Sequence, residues 1–230
     1  YLCEWKANRQ MYPPIKKQFG CISFDKGGYY CIREKDTFSF IRCGRHKDRP
    51  AHADNLHLDI WYQGENCLFD GGSYKYNTTE KLLRYFMGTE SHNTIMLEGH
   101  DQMLKGDRFI WYNWSQAEWS SLKETEDTYI FEGKVSCFTY LNKKIKHYRK
   151  IVKWKNTCKW EIEDCIDGNP KNMNMRQLWH TNKDNLSLES NGETIDTEQL
   201  CSNYYGQTTK CRQIEFQTKN SSIKTILQFI

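Results

Sequence analysis

The sequence predicts an all-β protein, a large antiparallel sandwich with one short helical insertion. Short apolar runs of strand length recur along the whole chain, each closed by a turn signal such as "DKGG", "QGEN" or "DGG". Aromatic residues make up 14% of the 230 residues, a content suited to pleated surfaces that pack flat side chains. Helical periodicity is nearly absent, so the strands have no crossover helices and must pair with antiparallel neighbours.

The strand-like runs come in order. They are "GCISF", "YYCIRE", "TFSFIRCG", the stretch from residue 56 to 62, and "CLFD". "NTTEKLLRYFMG", Asn77 to Gly88, is the one helical candidate, with Thr78 or Thr79 as its cap. After it follow "HNTIMLEG", "DRFIWYNWSQAEWSSL" and "TYIFEGKVSCFTYL". "HYRKIVKWKNTCKWEIEDCIDGNP" reads as a hairpin turning at Asn156 and Thr157, and "MRQLWHT", "LSLES", "QIEFQT" and "IKTILQFI" complete the set. No fixed-period repeat occurs, which removes propellers and solenoids.

Composition excludes several classes. No run of about 18 apolar residues is present, so no helix is expected to span a bilayer. A formal net charge of +4 is too mild for a nucleic-acid-binding face. The densest basic run, Lys143 to Lys155, alternates with apolar residues and reads better as a solvated strand face than as a sulfate or phosphate patch. Ten cysteines occur without a C-x-x-C pair, which gives no zinc ribbon and no thioredoxin-like motif. Cys43, Cys67 and Cys165 fall where a strand wants a small buried residue, and a few disulfides are the alternative. The chain begins at Tyr1 and ends inside an apolar run. We read it as part of a longer protein, with residues 1–18 as a leader and 19–230 as the sandwich.

One stretch does not fit a plain sheet. "RPAHADNLHLDIWYQGENCLFDGG" places His52, Asp54, His57 and Asp59 among strand-forming residues and ends the returning strand on Asp70. A strand starting near His52 would put one His and one Asp at that end of each face. No Walker, GxGxxG or GxSxG pattern is present, so metal ligation is the chemistry that imidazoles and carboxylates from neighbouring strands suggest. His52, Asp70 and His92 could supply three ligands with water as a fourth. Against this, a hairpin turning at Gly64 and Glu65 sets Asp70 opposite about Asp59, and His52 would then lie far along the strand unless the chain bends. Hydrogen-bonded surface His and Asp are the other reading.

"RPAHADNLHLDIW", "FDGGSYKYN" and "GTESHNTIMLEGHDQM", in that order, resemble the C-terminal β-sandwich of heparinase II/III-like polysaccharide lyases. The later "HYRKIVKW", "EIEDCIDG" and "SNYYG" are also similar, so the likeness runs from about Phe19 onward. It implies a zinc ion at His52, Asp70 and His92, more structural than Lewis-acidic. It implies β-elimination on an anionic, uronic-acid-containing polysaccharide, with the main base and neutralising groups on an N-terminal α/α toroid absent here, so that this piece alone is inactive. Tyr74, Tyr76, Asn93, Arg49 and Arg108 become candidate substrate contacts, and His57 and Asp59 second-layer hydrogen bonders. A periplasmic or cell-envelope location is implied, with the cytoplasm as the alternative. Two positions depart from the family pattern: Pro50 stands where many lyases carry a second, substrate-facing His, and Gly71 where Pro is usual. The first departure favours a rival role, a non-catalytic carbohydrate-binding or surface-polysaccharide assembly domain.

Overall fold

The computed structural model describes residues 17–169 and 173–229, so most of the expected leader lies outside the described residues. Five strands open the chain: β1 (Gly20–Phe24), β2 (Tyr29–Arg33), β3 (Thr37–Arg42), β4 (Leu58–Tyr62) and β5 (Glu65–Leu68), joined in chain order as an antiparallel meander. Helix α1 (Glu80–Met87), a 3-10 turn (Thr89–Ser91) and β6 (Ile95–Leu97) follow, then the two-residue strands β7 (Leu104–Lys105) and β8 (Trp111–Tyr112). The long strands come last: β9 (Gln116–Glu124), β10 (Thr128–Ser136), β11 (Lys146–Trp154), β12 (Lys159–Asp167), β13 (Met175–Thr181), β14 (Leu186–Ser190), β15 (Glu193–Cys201), β16 (Thr209–Thr218) and β17 (Ser222–Phe229).

They form a six-stranded sheet in the order β14-β17-β12-β11-β10-β9 and a four-stranded sheet in the order β15-β16-β13-β6, both antiparallel. One continuous core joins the sheets. Tyr30, Ile41 and Ile60 from the first meet Phe131, Ile151 and Trp160 from the second and Ile95, Trp179 and Phe216 from the third. Period-two alternation explains which residues enter it: along β17 the chain reads buried at Ile223, Thr225, Leu227 and Phe229 and open between them.

Thr79 caps α1 by accepting from the Leu82 N–H at 3.4 Å, and the Gly88 N–H closes the other end on the Arg84 carbonyl. The β11–β12 hairpin turns where expected, with Asn156 in the left-handed region at φ 55°. Three sequence expectations are corrected. The β4–β5 turn is Gln63-Gly64, one residue early, and a bulge after Ile60 re-sets the register so that Ile60 faces Leu68. Strand β15, "ETIDTEQLC", has no apolar alternation because it is an exposed sheet edge, and periodicity passes over it. The Lys143–Lys155 run is not simply solvated, for Arg149 and Lys153 point inward and are fully buried, Lys153 against Glu34 at 2.6 Å. Cys43 and Cys67 are buried as expected, whereas Cys165 is only half-buried.

Candidate functional site

The chain from His52 to His57 is not a strand. It is a loop, and β4 begins only at Leu58. Leu56 turns it at φ 62°, a conformation a branched apolar residue adopts only when its surroundings impose it. Those surroundings are hydrogen bonds: the Ala53 N–H donates to the Met87 carbonyl at the end of α1, the Leu56 N–H to the Arg42 carbonyl, and Arg42 pairs with Asp54 at 2.6 Å. Asn55 is buried and ties the loop to Gly44, Gln102 and Ser115. This bend removes the distance that a straight strand would have put between His52 and Asp70.

Asp70 follows β5 and His92 follows the 3-10 turn. Gly72 N–H donates to Asp70 Oδ1 at 2.7 Å, an Asx turn, with Gly72 at φ 84° beside the Ser202 carbonyl. Gly71 donates its N–H to the Ser91 carbonyl at 2.8 Å, a bond that proline could not make. The three segments meet at the rings. His92 Nδ1 lies 2.7 Å from Asp70 Oδ2, His92 Nε2 lies 3.3 Å from His52 Nδ1, and His52 Nε2 lies 3.2 Å from Ser73 Oγ. His57 Nε2 approaches Asp70 Oδ2 to 3.9 Å.

Proton positions follow from these contacts. Asp70 is held as a carboxylate: burial raises its pKa, but His92, His57 and His52 outweigh that and leave it well below the usual range. For His92, burial opposes the charge and Asp70 overcomes it, so its pKa is raised. His52 is lowered by burial and by His92, and His57 is pushed down to about 4 by burial. With Nδ1–H of His92 donated to Asp70 and Nε2–H of His52 donated to Ser73, the two remaining nitrogens face each other as lone pairs. Their 3.3 Å separation matches the ~3.3 Å between two nitrogens each about 2.05 Å from a tetrahedral zinc.

His57, Asp70 and His92 have ligand atoms within 4.8 Å of one another, so His57 competes with His52 for a place in such a site. In the hydrogen-bonded state its tautomer offers no lone pair toward Asp70. His57 Nδ1 accepts the Asn93 N–H at 2.9 Å, so the neutral ring carries its proton on Nε2, which has no other partner and points at Asp70. In this hydrogen-bonded state Asp70 sits behind the His92 ring, on Nδ1, and the two lone pairs that face each other belong to His52 and His92; a cation shared by Asp70 requires His92 to turn or to release its Nδ1 proton.

Residues 17–227 match the family model described as heparinase II/III-like, C-terminal. The chain belongs to the heparinase II/III-like family. A heparinase III with methylated lysines superposes with a TM-score of 0.77 at 16% identity, covering 100% of this chain and 41% of that one. The heparan sulfate lyase of Pedobacter heparinus gives 0.73 at 16% identity, covering 92% and 36%. A further heparinase III gives 0.70 at 15%, covering 94% and 37%. This member thus spans about two fifths of the length of those structures, and at these identities the likeness is one of fold. No curated protein matches the chain.

In this heparinase II/III-like chain the expected substrate contacts divide. Asn93 is fully buried, and its side chain is used up inside: Nδ2 donates to the Leu58 and Phe69 carbonyls, and Oδ1 accepts from the His180 N–H and lies 3.0 Å from His180 Nδ1. It is a tie between β4, β5 and β13 and cannot touch a polymer. Tyr74, at φ 55°, packs one face on Phe86 at 5.5 Å and is half-buried. Tyr76 is 67% exposed and meets Phe109 edge-on at 5.6 Å and Tyr205 at 5.9 Å. The Arg49 guanidinium lies 5.5 Å from the same Phe109 ring, and Arg108 precedes it on the surface. Phe109, half-buried, and Tyr205, exposed, were not singled out in the sequence; isolated aromatics carry no pattern until the fold gathers them. Asp59, bonded to Asn66 at 3.2 Å, is pushed up to about 6 by burial, and Pro50 is buried.

Proposed function

We propose that this chain is the sandwich wall of a polysaccharide lyase that cleaves a uronic-acid-containing polymer by β-elimination. The observation that supports it is the pairing of the His52, Asp70 and His92 cluster with an aromatic group, the exposed Tyr76 and Tyr205 and the half-buried Phe109, flanked by Arg49 and Arg108. A pyranose ring stacks on exposed aromatics, and a guanidinium can meet a uronate carboxylate through two parallel hydrogen bonds. Neutralising that carboxylate makes the adjacent carbon acid easier to deprotonate, and a base then removes the proton as the 4-linked sugar leaves.

Among the described residues beside the aromatic group no histidine stands at the position of Pro50, where many lyases carry a substrate-facing one. The base and most of the neutralising charge then belong to a domain preceding this one in the same chain, and the piece alone is inactive. Zinc at His52, Asp70 and His92 would supply cross-linking of three loops, holding the Asp70–Tyr76 segment against the His52 loop. Such an enzyme works where its polymer is met, in the periplasm or cell envelope. Among the described residues no helix is long and apolar enough to cross a membrane.

Pro50 supports the rival reading, a sandwich that binds polysaccharide in an assembly system without cutting it. The parent protein incubated with uronate polymers, followed by absorbance of the unsaturated product, separates the two. Product formation establishes the lyase, and binding without product leaves the non-catalytic role.

A further inference from the structure

Cys201 closes β15 and Cys211 lies three residues into β16; Cys201 pairs with Thr209 and Gln199 with Cys211, which sets the two cysteines diagonally across the ladder on one face. Both are buried, and with Phe69 they form a small cluster separate from the main core. The same two residues bracket the loop 202–208, and that loop is sewn to the Asp70–Tyr76 segment. Ser202 N–H donates to the Gly71 carbonyl at 2.8 Å, Gly206 N–H to the Tyr74 carbonyl at 2.9 Å, and Tyr76 N–H to the Tyr205 hydroxyl at 3.4 Å.

We infer that Cys201 and Cys211 form a disulfide by exchange with a small-molecule disulfide, and that this bond clamps the base of the loop bearing Tyr204 and Tyr205. The Cys201 thiolate attacks one sulfur of the small disulfide and expels the other as a thiolate, giving a mixed disulfide. Cys211 then attacks Cys201 Sγ and expels the second thiolate. The protein sulfurs are oxidised by two electrons, the small disulfide is reduced to two thiols, and the two cysteine protons end on those thiols. Cys201 attacks first because the Thr209 hydroxyl, 3.2 Å from Cys201 Sγ, can donate to that thiolate. The inference stands apart from the proposed lyase role, because it needs neither metal nor polymer.

Because both thiols are buried, the experiment has two regimes. The reduced protein is equilibrated with oxidised glutathione while folded, and separately while refolding from urea, then alkylated in denaturant and digested with trypsin. The expected product is the peptide 184–210 joined to the dipeptide Cys211-Arg212, absent after Cys211→Ser. The oxidised protein should melt roughly 5–11 °C above the reduced one, as closing a loop of this length in a chain of this size gives, and Cys211→Ser should abolish the difference. Recovery of Cys201 alkylated in both regimes, or joined to another cysteine, overturns the inference.

Discussion

Arg149 grips Asp164 with two parallel hydrogen bonds, Nε to Oδ1 at 2.7 Å and Nη2 to Oδ2 at 2.8 Å, and both side chains are completely buried. Its remaining nitrogen, Nη1, donates to the Leu56 carbonyl at 2.6 Å and the Asn93 carbonyl at 2.7 Å. One guanidinium on β11 thus holds the loop carrying His52 and His57 against the residue after His92. Asp164 also takes His147 Nε2 at 2.6 Å and Gln177 Nε2 at 2.7 Å, so the charge is spread over a satisfied network.

Removing one partner should therefore be far worse than removing both. Arg149→Met leaves the Asp164 carboxylate buried with only neutral donors and should lower stability by about 3–5 kcal/mol. The double variant Arg149→Met with Asp164→Leu should recover part of that loss. Urea unfolding of the three proteins checks it, and equal losses in single and double variants would mean that the pair contributes only through packing.

Acid should destabilise the fold early. Burial pushes His180 down to about 3, and it lowers His147 despite the Asp164 hydrogen bond. Both rings stay neutral in the folded protein while the unfolded chain protonates them near pH 6.5, so stability falls as pH drops below that value. At pH 5 the His180 ring contributes a loss of about 2 kcal/mol, and His147 adds to it in the same direction. His92 works in the opposite sense, since its raised pKa stabilises the fold at low pH and that gain fades as pH rises. His57, pushed down to about 4, acts in the same sense as His180 and His147, and together they outweigh His92. The melting temperature should fall between pH 6.5 and 5, and His180→Gln should flatten that limb; a level profile would place these rings in water.

Much of this site could be read from residues 49–93, and some could not. The His-Ala-Asp, Asp-Gly-Gly and His-Asn-Thr segments carry it as short polar words between strands, and such words survive without any geometry. What failed was the assumption that apolar alternation continues back to His52. Local pattern favours a strand there; Arg42, Gln102, Met87 and Arg149, distant in sequence, take the backbone hydrogen bonds and make a loop instead. Asn93 looked like a surface amide and is a buried tie for the same reason. Strand β15 escaped notice because an exposed edge needs no alternation.

The aromatic group should serve binding, and its exposed members should contribute little to folding. Tyr76 is exposed, so Tyr76→Ala should change stability by less than about 1 kcal/mol. On the proposed reading the same change should weaken binding of a uronate oligosaccharide several-fold, as should Phe109→Ala, whereas Tyr112→Ala, on an exposed ring outside the group, should not. Calorimetric titration against the purified domain measures it, and equal affinity for all four proteins would remove this face from polymer binding.

On the proposed reading His52 is a metal ligand and His57 is not. Zinc content by elemental analysis should be about one per chain in the native protein and should vanish in His52→Ala and Asp70→Ala. His57→Gln should keep the ion with an affinity lowered about 10–100-fold, because His57 acts on Asp70 through its Nε2–H and does not offer a lone pair. If His57→Gln loses the metal outright while His52→Ala keeps it, the three closest ligand atoms, those of His57, Asp70 and His92, hold the ion, and the His57 ring must then give up its hydrogen bond from Asn93. Metal absent from every protein, after zinc addition in chelator-free buffer, would reduce the cluster to a hydrogen-bonded set and leave the chain a heparinase II/III-like sandwich with no ion.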